Sequence, residues 1–371
     1  ELGVVMQIAS ADLDAVLAVF QQHGLREYTH VLGQATRAMR VRIAVGDFLM
    51  DEAWGDLRAA WSETSFRMRE LRDDPVCARE EFASTCDVNE PGLLVALTFD
   101  PEESLQFPAV TTAARPRVAV LREQGVNSQV EMAAVLDRSG FEPHDVHMSD
   151  ILSGRRSLQD FAGLIACGGF SYGDVLGAGE GWAKSILFNE LARQQFQQFF
   201  ARPDSFALGV CNGCQMFAAL AELIPGAADW PRFVRNRSEQ FEARFALVEV
   251  LPSPSLFFDG MVGSMLPIAV AHGEGRAEFA TDVAGQSFVE SGRVAVRYVN
   301  ADRSVARTYP ANPNGSPFGI AAVTSRDGRV TAIMPHPERS FRYVQNSWRP
   351  DGAGEASGWQ RLFVNARRSL G

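Results

Sequence analysis

Residues 208–216 read LGVCNGCQM, a stretch in which an apolar strand runs directly into a helix. Gly209 and Gly213 lie two residues from Cys211 on either side, and they remove side chains that would clash in so tight a turn. The pattern predicts a nucleophile elbow in which cysteine replaces the usual serine. The Cys211 thiol would then lie at a helix N-terminus, which favours the thiolate, and the backbone N–H of Asn212 would be free to stabilise an oxyanion.

Two other interpretations of Cys211 compete with this one. It could be a small buried residue of an α/β core, or it could form a C-x-x-C redox or metal pair with Cys214. The sequence has no second C-x-x-C and no histidine cluster with zinc spacing. We therefore favour a nucleophilic Cys211 and a structural Cys214.

A candidate base for this nucleophile follows the last predicted strand, residues 330–334. His336 and Glu338 are two residues apart at the strand end, so their side chains can project to the same side, and Pro337 fixes the backbone between them. This spacing predicts that His336 accepts the thiol proton and later returns a proton to the leaving group. Glu338 would orient the imidazole and stabilise its charged form.

A third candidate element is the glycine pair Gly168-Gly169, which ends the predicted strand at residues 164–166. Backbone N–H groups at such a pair can approach a substrate closely. A lone Gly-Gly is usually only a turn. Its position at the end of a neighbouring core strand supports a functional interpretation.

Apolar strands and amphipathic helices alternate after Pro116, which predicts an α/β fold with a mostly parallel, doubly wound sheet. Ser128 is a predicted helix cap. Functional residues are then expected at the carboxyl ends of the strands. Short apolar runs with Pro and Gly turns over residues 246–299 predict a smaller mixed sheet, inserted before the last core strand.

The part before Pro116 is organised differently. Strands are predicted at residues 4–8, 29–32 and 41–45, with a helix capped by Ser10 after the first. A helical pattern at 51–82, a short strand at 93–97 and a turn-rich stretch at 107–116 follow. We expect three regions: a partial α/β segment at 1–50, a helical linker at 51–115 and the main domain at 116–371. Because the chain opens inside an apparent strand, we expect it to be part of a larger polypeptide.

Composition narrows the classes of partner. The formal net charge is −10 and no long basic run occurs, which argues against nucleic acid or an anionic membrane as the main partner. Five cysteines, an odd number, and the lack of a signal-peptide pattern indicate a reducing, cytoplasmic location. No apolar run approaches the ~20 residues that span a bilayer. A small-molecule substrate therefore fits this composition better than nucleic acid or a membrane does.

Taken together, the three motifs in their order resemble the class I (triad) glutamine amidotransferases, which have a flavodoxin-like sheet. A closer similarity is to the phosphoribosylformylglycinamidine synthases, or FGAR amidotransferases, of the large single-chain type used in purine synthesis. It is carried by five stretches: REQGVNS at 122–128, GGFSYGD at 168–174, GVCNGCQ at 209–215, HGEG at 272–275 and YPANPNGS at 309–316.

This resemblance implies roles for individual residues. Cys211 would form a glutamyl thioester. The oxyanion and glutamine-binding groups would come from the residues Gly168, Gly169, Asn212 and Gln215. His272, in a glycine-flanked loop, could lie near the site as a supporting residue or serve only loop packing, and both possibilities stay open.

The resemblance also implies partners and cofactors. Residues 1–51 look like the end of the second synthetase half (AIR synthetase-like) of such an enzyme, and residues 52–82 like its link to the glutaminase domain. In the family, the synthetase uses ATP and magnesium to convert FGAR and ammonia to FGAM. No ATP-binding or FGAR-binding region is present in this sequence, so the expected ligand of this chain is glutamine and its expected partner is the synthetase domain. No cofactor and no metal are expected in the chain itself.

Two alternatives belong to other functional classes. A cysteine peptidase or deglycase of related architecture would share the elbow and a histidine, but the acid two residues after His336 and the glutamine at Gln215 favour an amidotransferase. A binding or scaffold module that has lost catalysis is the second alternative, and the presence of all three presumed triad members argues against it.

Overall fold

The computed structural model describes residues 3–104 and 114–371. The chain divides into two compact units, Glu1–Arg58 and Ala59–Gly371. Residues 105–113, which include part of the predicted linker and of the turn-rich stretch, lie outside the described residues.

The first unit contains helix α1 (Leu13–Gln22) and a hairpin of β1 (Arg40–Val45) with β2 (Phe48–Ala53). The predicted strands at 4–8 and 29–32 are wrong, and the hydroxyl of Ser10 caps no helix. None of the residues described in this unit is buried. An apolar run forms a stable strand only when it pairs with another strand and packs against a covering layer. The two runs at 4–8 and 29–32 have neither, which explains why both strand predictions are wrong.

The predicted helical segment after residue 51 is confirmed as α2 (Trp54–Arg72) and α3 (Pro75–Cys86). The break between them has a clear cause, because Asp74 caps α3 by accepting a hydrogen bond from Cys77 N at 2.7 Å and Pro75 occupies the first turn. The strand predicted at 93–97 is reduced to one bridge between Ala96 and Met265.

Helix α3 contacts the rest of the second unit through its acidic side chains. Glu80 forms an ion pair with Arg237 and accepts a hydrogen bond from Tyr309 N at 2.8 Å. The side chain of Glu80 is 22% exposed. A carboxylate with two donors in a half-buried position contributes more to stability than a solvated surface pair does.

The second unit is built on a nine-stranded sheet. Its strands, in chain order, are β3 Arg117–Arg122, β4 Glu142–His147, β5 Gly163–Ala166, β6 Phe206–Val210, β8 Glu242–Val250, β9 Met265–His272, β11 Val294–Tyr298, β12 Ile320–Thr324 and β13 Val330–Ile333. They lie side by side in the order β4-β3-β5-β6-β13-β12-β11-β8-β9. The first five strands of this order are parallel and the last four continue the sheet in antiparallel fashion. This confirms the predicted α/β fold with a mostly parallel core.

Among the described residues from 114 onward, seven helices accompany the sheet: α4 Gln129–Arg138, α5 Met148–Leu152, α6 Glu180–Leu187, α7 Glu190–Ala201, α8 Asn212–Ala219, α9 Asp282–Glu290 and α10 Gln360–Arg368. Every residue of β5, β6 and β13 is buried. Central parallel strands covered on both faces have this uniform burial.

The inserted sheet differs from the prediction. Most strands of residues 242–298 join the main sheet, because β12 runs back antiparallel to β13 and the sheet continues through β11, β8 and β9. Of the strands described in the second unit, only β7 (Arg232–Val234) and β10 (Arg276–Glu278) form a separate two-stranded sheet. The apolar runs were predicted correctly as strands, but their partners could not be predicted from short apolar runs alone.

Strand β9 ends the strand order, yet other segments cover its backbone. Met265 exchanges two 2.8 Å hydrogen bonds with Ala96. Further along, His336 N donates to Ala269 O at 2.8 Å, and Ala269 N donates to Ser340 Oγ at 3.1 Å. The segment after β13 therefore returns to β9 and brings His336 beside it.

Within the described residues, none of the helices is both long enough and apolar enough to cross a membrane.

Candidate active site

Cys211 lies at the turn between β6 and α8, with φ 51° and ψ −106°. Non-glycine residues seldom adopt positive φ, and strained backbone of this kind concentrates at functional sites. The flanking glycines are required sterically: a Cβ on Gly213 would lie 2.0 Å from Ala166 O, and one on Gly209 would lie 2.6 Å from Gly213 O. The structure thus forms the elbow that the glycine spacing predicts.

His336 and Glu338 form a buried pair after β13. His336 Nδ1 and Glu338 Oε1 are 2.6 Å apart, and the two side chains are 1% and 0% exposed. Burial lowers the pKa of His336, but the charges of Glu338 and Cys211 outweigh it and raise this pKa to about 10. The imidazole Nε2 has no hydrogen-bond partner within the described part of the chain. Since Glu338 holds Nδ1, Nε2 is the nitrogen available for proton transfer.

The loop after β5 lies between these two motifs. A Cβ on Gly168 would lie 2.6 Å from His336 Cε1 and 3.3 Å from Cys211 Cβ, so Gly168 contacts both. A Cβ on Gly169 would lie 2.5 Å from Val126 Cα. The structure therefore brings all three predicted motifs together, and at both glycine positions no side chain fits.

Ser128 has a different role from the one predicted. It occupies the position before α4, but its hydroxyl makes no capping hydrogen bond. Instead, Ser128 Oγ accepts a hydrogen bond from Gly168 N at 2.8 Å and lies 3.2 Å from Gly168 O, to which it donates. Ser128 thus fixes the glycine loop beside Cys211.

Asn212 and Gln215 organise the floor of the site. Asn212 is the first residue of α8, so its backbone N–H has no acceptor within the helix. Its side-chain Nδ2 donates to Asp174 Oδ1 at 3.1 Å and to Gln215 Oε1 at 3.2 Å. Gln215 Nε2 in turn donates to Glu274 O at 2.5 Å. These hydrogen bonds connect helix α8 to the loop after β5, which contains Asp174, and to the loop after β9, which contains Glu274.

A pocket opens at this edge of the sheet. Its lining includes five of the residues predicted for the site: Gly169, Cys211, Gln215, His272 and His336. The other three predicted residues do not line the pocket that the described residues form, but each of them contacts a residue that does. These three are Gly168, Asn212 and Glu338. The remaining lining residues are Asn127, Phe170, Asp174, Ala178, Phe241, Ala271, Gly273, Glu274 and Arg339.

His272 is a buried neutral histidine beside the site. Burial and the charge of His336 lower its pKa to about 3. Asn314 Nδ2 lies 3.2 Å from His272 Nε2, and Asn236 Nδ2 donates to His272 O at 2.7 Å. His272 therefore lines the pocket and also packs within its own loop. The geometry is compatible with both predicted roles, a supporting residue of the site and a residue of loop packing.

Residues outside the predicted set also reach the pocket. Ala271 O lies 3.6 Å from Cys211 Sγ as a hydrogen-bond acceptor for the thiol. Asp174 and Glu274 line the pocket as well. The sequence could have indicated both residues, because they lie inside the stretches 168–174 and 272–275. Over residues 3–104 and 114–371, no three His, Cys, Asp or Glu side chains are grouped as metal ligands.

Comparisons with solved structures show similar chains. One chain in the structure of PurLQS from Thermotoga maritima is 26% identical, with a TM-score of 0.50, and the match covers 69% of this chain and 97% of that one. A glutamine amidotransferase from the same organism is 15% identical, with a TM-score of 0.35 and coverage of 60% and 76%.

A family model gives the broader assignment. The model of the CobB/CobQ-like glutamine amidotransferase domain matches residues 115–369, which contain the elbow, the glycine loop and the His336-Glu338 pair. This match confirms the resemblance to glutamine amidotransferases inferred from the sequence. The chain belongs to the family of CobB/CobQ-like glutamine amidotransferase domains.

Proposed function

We propose that this chain is the glutaminase part of a phosphoribosylformylglycinamidine synthase, and that Cys211, His336 and Glu338 are its catalytic triad. The observation that carries the proposal is the placement of a buried His336-Glu338 pair, joined at 2.6 Å, next to the cysteine of a strained elbow. A nucleophile, a base and a group that orients the base are the parts that acyl transfer through a covalent intermediate requires.

The first half-reaction forms the thioester. Nε2 of His336 takes the proton of the Cys211 thiol, and the thiolate attacks the side-chain carbonyl carbon of glutamine. The backbone N–H groups of Gly169 and Asn212 stabilise the oxyanion of the tetrahedral intermediate. The raised pKa of His336 means that it holds the proton at neutral pH. The charged imidazole then donates that proton to the leaving nitrogen, which departs as ammonia.

The second half-reaction releases glutamate. His336, now neutral, takes a proton from a water molecule, which attacks the thioester carbonyl carbon and regenerates the Cys211 thiol. Glu338 holds the same ring orientation in both halves, because its Oε1 accepts the hydrogen bond from Nδ1.

The finer assignment rests on two supports. The five sequence stretches resemble FGAR amidotransferases, and the PurLQS chain from Thermotoga maritima is 26% identical over 97% of its length. The ammonia would pass to a synthetase portion that converts FGAR to FGAM. ATP and magnesium would belong to that portion.

The test is ammonia and glutamate release from glutamine by the purified chain, with and without a separately supplied synthetase portion. Cys211→Ala should abolish both products. Cys214→Ala is the matched control, because Cys214 is buried three residues away and is absent from the pocket lining that the described residues form. The control should retain activity.

Stimulation by the synthetase portion would support coupling to FGAR chemistry. Release of glutamate by Cys211→Ala at the wild-type rate would remove Cys211 from the mechanism. Inactivity of the wild type toward glutamine even when complemented would refute the glutaminase proposal, and a parallel screen of peptides would then identify a peptidase.

A further inference from the structure

Two buried histidines line the pocket with Cys211, and the proposed mechanism uses one of them, His336. The two rings meet different partners. His336 Nδ1 lies beside the carboxylate of Glu338, whereas His272 Nε2 lies beside the carboxamide of Asn314. A buried histidine takes its charge and its tautomer from the groups that its two ring nitrogens meet. The surroundings of His272 therefore indicate which of its nitrogens carries a proton.

Two backbone groups fix the orientation of the Asn314 side chain, which is fully buried. Asn314 Oδ1 accepts a hydrogen bond from Ser316 N at 3.0 Å, and Asn314 Nδ2 donates one to Gly275 O at 2.8 Å. A backbone N–H can only donate and a backbone carbonyl can only accept, so a flipped amide would lose both bonds. The atom that lies 3.2 Å from His272 Nε2 is therefore the amide nitrogen, a donor.

This contact assigns the tautomer of His272. Because Asn314 Nδ2 donates, His272 Nε2 must accept and carries no proton. Burial and the charge of His336 lower the pKa of His272 to about 3, so the ring is neutral at ordinary pH. A neutral imidazole has one proton, and here it must lie on Nδ1.

The Nδ1 side of the ring faces the chain segment that carries the proposed base. The backbone of Met334 raises the pKa of His272, as a carbonyl oxygen beside a ring N–H does. The contact is longer or less aligned than an ordinary hydrogen bond, since Nδ1 has no such partner among the described residues. Hydrogen bonds of active sites are often loose before the substrate binds. Met334 lies two residues before His336, so His272 connects Asn314 to the segment of the base.

Gly275 gives the ring and the amide room to meet. A Cβ on Gly275 would lie 2.2 Å from His272 Nε2 and 2.9 Å from Asn314 Nδ2. Asn236 closes the same loop from the other side, because its Nδ2 donates to His272 O at 2.7 Å and its Oδ1 accepts from Gly275 N at 2.9 Å. The loop at 272–275 is thus held in the one conformation that presents Nε2 to Asn314.

We propose that Asn314 and His272 are positioning residues for the base: Asn314 keeps the proton of His272 on Nδ1, and this N–H holds the Met334 carbonyl and with it the His336 imidazole. The inference rests on the proposed function, because it takes His336 as the base. A neutral His272 also avoids a second positive charge, which would oppose the proton that His336 holds. Both residues act through His336, so their effect belongs in kcat rather than in KM.

The first measurement is the tautomer of His272 in the full chain, read by NMR of protein labelled with ¹⁵N in its histidine rings. The signal of His272 is assigned by its loss in His272→Gln. In wild type at neutral pH, the ring should be neutral with its proton on Nδ1. Asn314→Asp replaces the donor with an acceptor of the same shape, so it should move a proton to Nε2.

The second measurement is glutamine hydrolysis by the same variants. Asn314→Asp should lower kcat about tenfold or more and change KM little, because the base is no longer held at its place. Asn312→Asp is the matched control, since Asn312 is a buried asparagine of the same loop whose side chain bonds backbone atoms. These are Ala306 O, Ser316 O and Gly315 N. The control should keep the proton of His272 on Nδ1 and lose much less kcat.

The outcomes separate this proposal from the glutaminase proposal. A proton on Nε2 of wild-type His272, alone or together with one on Nδ1, would overturn the positioning role whether or not glutamine is hydrolysed. Equal losses of kcat in Asn314→Asp and Asn312→Asp would reduce the contact to loop packing and leave the glutaminase proposal intact. If wild type does not hydrolyse glutamine even when complemented, the glutaminase proposal fails and the positioning role fails with it.

Discussion

Ser128 holds the backbone of Gly168 from both sides. Its Oγ accepts from Gly168 N at 2.8 Å and donates to Gly168 O at 3.2 Å, and both residues are buried. Through Gly168 O, this hydroxyl contacts the peptide group that also carries the proposed oxyanion donor, the N–H of Gly169. Backbone hydrogen bonds from Asn127 N and Ser128 N to Gly168 O, at 3.1 and 3.3 Å, hold the same loop. The position of the glycine loop therefore depends on the neighbouring strand-to-helix connection.

Ser128→Ala should lower kcat for glutamine hydrolysis about tenfold or more, because the proposed oxyanion donor is no longer held in place. The variant should also lose about 1–3 kcal/mol of unfolding free energy, since Gly168 N is left buried without an acceptor. Ser139→Ala is the control: Ser139 Oγ is equally buried and bonds Val135 O at 2.7 Å at the far end of α4. Steady-state kinetics and urea unfolding measure both effects. An equal loss of kcat in the two variants would contradict a local role for Ser128.

Gly168→Ala should reduce kcat/KM for glutamine about 100-fold or more, because the added Cβ would lie 2.6 Å from His336 Cε1 and would push the imidazole away from Cys211. Gly354→Ala should be silent, since the added Cβ there meets only the flexible end of the exposed Glu102 side chain. Activity close to that of wild type in Gly168→Ala would show that the imidazole is not held at this spacing.

The charged His336 should make stability depend on pH in a defined direction. Its folded pKa of about 10 lies above the ordinary value near 6.5. Its contribution to stability is therefore fully present below about pH 6.5 and is lost as pH rises toward 10, by up to about 1.4 kcal/mol per pH unit.

Urea unfolding of wild type and Glu338→Gln at pH 6.5, 8 and 10 would measure this dependence. Glu338 is the strongest of the charges that raise the pKa of His336, so the difference in unfolding free energy between the two proteins should shrink as pH rises. A difference that grows with pH would reverse the assigned sign.

Glu80→Ala should lower the unfolding free energy of the second unit by about 1–3 kcal/mol, because Arg237 Nη2 and Tyr309 N both lose the Glu80 carboxylate as their acceptor. Glu63→Ala should cost less than about 1 kcal/mol, since Glu63 and Arg67 form a pair on the helix surface with side chains 60% and 61% exposed. Chemical denaturation followed by circular dichroism would measure both. Equal effects would show that α3 is not anchored through Glu80.

The sequence predicted the parts of this protein that depend on local patterns. The elbow could be predicted because Gly209 and Gly213 are required at fixed distances from Cys211, and the His336-Glu338 pair because a strand end sets its geometry. Long-range pairing was not predictable in the same way. The hydroxyl of Ser128 serves a loop forty residues away, and nothing near Ser128 in the sequence distinguishes this from a helix cap.

The pairing of strands was the other limit. Strand β9 lies last in the sheet order, yet its residue Ala269 bonds the backbone of His336, a contact across more than sixty residues. Short apolar runs indicate strands but carry no information about which strand lies beside which. For that reason the inserted strands were predicted as a separate sheet.

The coverage of β9 has a consequence for solubility. An unpaired strand edge is a template for pairing with another chain, and proteins avoid aggregation by covering such edges. Here His336 N and Ser340 Oγ occupy the backbone groups of Ala269, and Ala96 occupies those of Met265. Residues 336–340, which include the proposed base, therefore also protect β9 from pairing with a strand of another molecule. A change that detaches these residues would displace the imidazole of His336 and at the same time expose a strand edge that can aggregate.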